Sequence, residues 1–116
     1  MFLEKYQYAR GKERNIIMEI RKEQSGDSLT IALAGRLDAV TAPELDKVIQ
    51  SSLDGIKNLV FDCKELVYIA SAGLRVLLVA QKRMKKQGDM KLIHVSKDVK
   101  DVLEMTGFID FLTVEE

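Results

Sequence analysis

Apolar residues recur at two different periods along this chain, and the changes of period mark its elements. Ile16, Met18 and Ile20 alternate with Ile17, Glu19 and Arg21. After "QSGD", Leu29, Ile31 and Leu33 alternate with Thr30, Ala32 and Ala34. Two alternating runs about a Ser-Gly-Asp turn predict a β-hairpin. The period then changes. "TAPE" sets Thr41 as a helix N-cap with Glu44 three residues on, in capping-box spacing. Leu45, Val48, Ile49 and Leu53 follow at helical intervals, closed by Gly55. "NLVF" (58–61) is short and apolar, which predicts a strand buried on both faces. A second helix is expected from about Ala72 to Lys86. Its residues 74–80 are apolar apart from Arg75, while Arg75, Lys82 and Lys86 share a solvated face. Gly88 ends it. "MKLIHV" predicts another strand, with His94 inside it. Ser96 then caps a short helix bearing Val99, Val102 and Leu103, which stops at Gly107. The tail "FIDFLTV" is read as a last strand or turn.

The order is β-β-α-β-α-β-α. Strands separated by helices pair in parallel through right-handed crossovers, and the hairpin adds antiparallel pairing. The expected fold class is α/β: a single domain over residues 16–116, with a mixed β-sheet, an N-terminal hairpin and helices packed on the sheet. Residues 1–15 lack a clean period and are read as an N-terminal extension outside the core, an ordered arm or a disordered one. Met18 offers an equally good domain start.

With 116 residues, 47% of them apolar, the chain can build one core. Lys plus Arg and Asp plus Glu both number 18, so no net field attracts nucleic acid or an anionic membrane. No apolar run approaches the ~20 residues of a membrane span, and the start lacks the pattern of a secretory signal. The single cysteine, Cys63, cannot form an internal disulfide, which fits a cytoplasmic location. One histidine and one cysteine are too few for a Cys/His metal site. A catalytic triad would have to use His94. Neither phosphate-cradling glycine motif is present, and without tryptophan there is little for bases to stack on. The chain is therefore expected to be no enzyme and to need no cofactor or metal.

One short stretch, "YIASAGLRVLL" (68–78), places Ser71 where a buried strand gives way to a buried helix. Two readings stay open. As an N-cap, its oxygen would accept a first-turn N–H and stabilise by about 1 kcal/mol. As a modification site, it would meet a helix start left bare by Ala72 and Gly73, where backbone donors and the helix dipole favour an anion.

The segments "GRLDAVTAPEL" (35–45), "LVFDCKELVYIASAGLRVLL" (59–78) and "LIHVSKDVKDVLEMTGF" (92–108) resemble the STAS-domain family of bacterial anti-sigma factor antagonists, over about residues 17–114. The resemblance implies a mixed sheet with helices, and a partner that is an anti-sigma factor and serine kinase. Ser71 falls at the family's phosphorylated serine, and Ala72, Gly73 and Leu74 match the start of the following helix. Gly35 and Asp38 match a glycine-x-hydrophobe-aspartate element near that serine. Ala70 stands where switch members carry aspartate, and Arg75 where they are often small. The partner-binding set implied is Asp38, Ala70, Ser71, Ala72, Gly73, Leu74 and Arg75, with the oligomeric state left open, monomer included. The resemblance implies an antagonist that binds an anti-sigma factor, releases a sigma factor, and is switched off by phosphorylation of Ser71. The alternative is a constitutive STAS interaction module in a signalling or transport complex, with Ser71 acting only as a cap.

Overall fold

A two-residue turn, Gly26–Asp27, joins Ser25 to its partner Ser28, with Gly26 at a φ of 60°. That left-handed angle suits glycine, which has no Cβ to strike the following carbonyl. The computed structural model describes residues 3–10 and 17–116. The turn connects β2 (Ile17–Ser25) to β3 (Ser28–Leu37), and β1 (Leu3–Arg10) lies antiparallel to β2, from Leu3↔Gln24 to Arg10↔Ile17. The leading stretch, expected as an extension, thus contributes an edge strand. Its residues 1–2 and 11–15 lie outside the described ones.

The chain continues through α1 (Ala42–Ser52), β4 (Asn58–Ile69), α2 (Ser71–Met84), β5 (Asp89–Ile93) and α3 (Lys97–Thr106). A 3-10 turn (Phe108–Asp110) follows, and Val114 bridges Leu92. The sheet order is β1-β2-β3-β4-β5. Its first two pairings are antiparallel and its last two parallel. This is the mixed α/β sheet that the change of period predicts.

Three boundaries differ from expectation. Strand β4 does not stop at Phe61 but runs to Ile69, because pairing with β3 continues through register shifts at Ala32/Ala34 and Gly35/Arg36. A bulge keeps a non-alternating stretch extended by absorbing the extra residue. His94 lies just beyond β5 rather than in it, at a φ of 56°. That angle ends the strand, and histidine is among the residues that tolerate it best. Helix α2 begins at Ser71 itself, one residue before the predicted start.

Cross-strand rows build the core. Leu29, Leu59 and Met90 lie in one row, and Ile31, Phe61 and Leu92 in the next, all buried. Because β3, β4 and β5 are neighbours in chain order, right-handed crossovers carry α1 and α2 to the same face. There Leu45, Val48 and Ile49 of α1 join Leu74, Leu77, Ala80 and Met84 of α2 in the buried cluster. The helices are tied at their C-terminal ends. Arg83 Nη2 donates to Asp54 Oδ1 at 2.7 Å, and Gln87 Nε2 donates to the carbonyls of Leu53 and Ile56, both at 2.7 Å. Among the described residues no helix is long and apolar enough to cross a membrane.

The turn into β5 needs a glycine for space. A Cβ on Gly88 would overlap the Lys57 carbonyl, whose oxygen accepts the Asp89 N–H at 2.8 Å. We predict that Gly88→Ala lowers stability by about 1–3 kcal/mol, the cost of overpacking against atoms that cannot rotate away. It should read as a lower urea midpoint with an unchanged slope, and a parent-like midpoint would contradict the close approach.

Candidate functional site

Strands β3 and β4 end together, with Leu37 paired to Ile69. The next peptide is already committed, since the Ala70 N–H donates to the Leu37 carbonyl at 2.9 Å. Ala70 is extended, at φ −112° and ψ 173°, and forms the N-cap of α2 without a side-chain hydrogen bond. Its carbonyl accepts the N–H groups of Gly73 and Leu74 at 3.0 and 3.1 Å. The Ser71 oxygen is therefore not the N-cap acceptor that the sequence suggests. An N-cap residue needs an extended backbone, and here Ala70 has it.

Gly73 is buried, and the space of its missing side chain is taken from within. A Cβ there would lie 2.5 Å from Leu37 Cγ and 3.2 Å from the Leu37 carbonyl oxygen. The glycine seats the first turn of α2 on the end of β3 rather than leaving it bare to the outside. Leu74 is fully buried as well. Of the predicted set, Ser71 and Arg75 are exposed, and Asp38, Ala70 and Ala72 are half-buried. A molecule approaching this end meets Ser71 and Arg75, with Gly73 and Leu74 beneath them.

The loop after β3 is organised by Asp38. Its Oδ1 accepts the N–H groups of Val40 and Thr41 at 3.0 and 3.2 Å. Thr41 Oγ1 donates to the Arg36 carbonyl at 2.7 Å and accepts the Asp38 N–H at 3.0 Å. Thr41 is the N-cap of α1 in position, but its hydroxyl bonds backward and not into the helix. The reason is backbone shape: Thr41 is αR, at φ −93° and ψ −22°, so the capping box with Glu44 does not form. Gly35, at φ 101° beside a register shift, turns the strand end so that Leu37 points into the core.

Sequence reasoning missed four residues here. Val40, Val67 and Tyr68 are 47%, 65% and 40% exposed. Arg36 lies over the Tyr68 ring, 4.1 Å from its centroid, with Nε 3.8 Å from Asp38 Oδ2. The available signal was the run "LVYI" at 66–69, where two adjacent apolar residues cannot both face the core of a strand. Elsewhere, His94 Nδ1 sits 3.0 Å from Asp62 Oδ1, and neither side chain bonds to the residues around Ser71. Burial first, and the Asp62 charge second, push the Cys63 thiol up to about 12, so it is inert as a nucleophile. A groove of about 160 Å³, floored by Ala32 and Ala34 and flanked by Glu19, Glu65 and Lys64, lies on the sheet and includes none of the residues around Ser71.

Comparison with known proteins shows the family. The family model described as the STAS domain matches residues 19–116. An anti-sigma-B factor antagonist of Listeria monocytogenes is 33% identical over 104 residues, covering 87% of this chain and 90% of the relative. The crystal structure of an anti-sigma factor antagonist from Mycobacterium paratuberculosis superposes with a TM-score of 0.76 at 20% identity, over 84% of this chain and 85% of the other. SpoIIAA, a Bacillus cell fate determinant solved in its phosphorylated form, does so at 0.65 and 16%, over 82% and 89%. At those identities the two structures speak to the fold alone.

Hydrogen bonding at this end separates two carboxyl and hydroxyl roles that sequence alone merges. Asp38→Ala should cost about 1 kcal/mol, because the Val40 and Thr41 N–H groups lose their acceptor. Ser71→Ala should stay within about 0.5 kcal/mol of the parent, as its hydroxyl caps nothing. Chemical denaturation of both variants checks this. A larger loss for Ser71→Ala than for Asp38→Ala would restore the serine as a cap.

Proposed function

This chain belongs to the STAS domain family, and from that premise we propose that it is an anti-sigma factor antagonist switched off by phosphorylation of Ser71. In this reading it is a cytoplasmic binding protein that performs no catalysis. It captures an anti-sigma factor of the serine-kinase type, and the sigma factor held by that protein is released. The antagonist role is supported by relatives that carry that name across most of their length. The switch is supported by one observation: the Ser71 hydroxyl is exposed, first in α2, and without a hydrogen bond among the described residues.

A kinase requires such an uncommitted acceptor. Transfer of the terminal phosphoryl group of a nucleoside triphosphate forms the Oγ–P bond, breaks the phosphoanhydride, and releases the hydroxyl proton and a nucleoside diphosphate. The product adds nearly two negative charges at pH 7. Val40, Val67 and Tyr68 give the same end of the domain exposed apolar surface, and a charge set into such a contact disrupts it by desolvation. The bonding of Leu37, Ala70, Gly73 and Leu74 does not involve the hydroxyl, so the modified chain keeps its fold. Ala70 favours a second reading, a constitutive interaction module, because a kinase that relies on an acidic residue before the serine finds none here.

Titration against the anti-sigma factors of the source organism separates the readings. Ser71→Glu should bind the cognate one about a hundredfold more weakly, about 2.7 kcal/mol, while Ser71→Ala binds like the parent. Intact mass of the protein from its own host should reveal one added phosphate whose occupancy changes between growth and stress. Equal affinities with a single unmodified mass would leave the constitutive module.

A further inference from the structure

Arg75 stands four residues beyond Ser71, and both are exposed on α2. Its guanidinium has no hydrogen-bond, ion-pair or ring partner among the described residues. The other cation at this end is already engaged. Arg36 lies 3.8 Å from Asp38 Oδ2 and over the Tyr68 ring. Asp38 in turn is held by Arg36 and by the N–H groups of its own loop. The first turn of α2 contains no acidic residue, and the N-cap before Ser71 is an alanine. The uncommitted charge on α2 nearest to Ser71 is therefore the arginine one turn along, since Lys82 on the same face lies two turns further.

Residues four apart on a helix are surface neighbours, with Cβ atoms about 6 Å apart, and an acid N-terminal to a base is the favourable order. An arginine side chain spans that gap easily, and its planar fork matches two phosphate oxygens at once. We propose that Arg75 is the counter-ion for a phosphate on Ser71. The pair lays the phosphate along α2, over Ala72, instead of leaving it to swing in solvent. The unmodified domain then presents a free guanidinium and a hydroxyl. The modified domain presents neither, so one covalent change replaces two recognition groups. This role rests on Ser71 as the modified residue, not on the identity of any partner.

The charged and titratable groups named at this end of the sheet are Arg75 on α2, Arg36 and Asp38 from the end of β3 and its loop, and Tyr68 from the end of β4. A nearby cation favours the dianion, so it lowers the second ionisation of phosphoserine from its usual value near 6. The test is a phosphorus NMR titration of the full chain with phosphoserine installed at position 71 during translation. Relative to the parent, Arg75→Gln should raise that ionisation by about half a pH unit, and Arg75→Lys should keep most of the depression. Molar salt should shrink the difference. Arg75 is exposed, so Arg75→Gln should keep the fold, checked by an unchanged melting temperature. A phosphate that titrates identically in the parent and in Arg75→Gln would overturn the pairing. The antagonist reading fails separately, through Ser71→Glu binding that matches the parent, and that result leaves the ionisation shift standing.

Discussion

The close approach of Gly73 to Leu37 sets the geometry on which the Ser71 end of the molecule depends. Leu37 is fully buried and closes β3. Its carbonyl accepts the Ala70 N–H, and its side chain occupies the space where residue 73 would carry a Cβ. Helix α2 can start directly off β4 only because residue 73 has no side chain to compete for that space. Once Gly73 and Leu74 face inward, a rotation of about 100° per residue turns Ser71 and Arg75 outward together. The exposure of the serine follows from the burial of the glycine.

A second constraint acts on the facing loop. Asp38 and Thr41 have direct partners: the loop N–H groups, the Arg36 carbonyl and the Arg36 guanidinium. The loop is thereby fixed without help from α2, so it can flank Ser71 without bonding to it. The charges left over are few, and their arrangement has meaning for that reason. Arg75 stands out because its neighbours have satisfied one another.

The mixed sheet explains why this surface sits at one end. Strands β3 and β4 run parallel and finish together, so the segments that follow them emerge side by side. Ligand surfaces in sheets of this kind form beyond the carboxyl ends of parallel strands for this topological reason. The STAS match begins at residue 19, just inside β2, and β1 is an addition at the sheet's edge, away from β4 and α2.

Much of this was written in local pattern. The alternation of Ile20 and Leu33 with charged or small residues, the helical spacing of Leu45, Val48 and Ile49, and Gly107 as a left-handed stop at φ 80° all appear where the sequence puts them. Ser96 caps α3 through the Val99 N–H. Periodicity and cap chemistry act within a few residues, so one sequence suffices to read them. Tertiary contact decided the rest. Ser71 and Thr41 both resemble caps, yet Ala70 takes one role by its extended backbone, and Asp38 organises the turn before the other helix. Gly73 looks like a gap left for a partner, but Leu37, more than thirty residues earlier, fills it. Val67 and Tyr68 look as buried as Leu66 and Ile69 until β4 bulges along β3. In each case the outcome depends on which distant atoms arrive at the site, and a local pattern carries no information about arrivals.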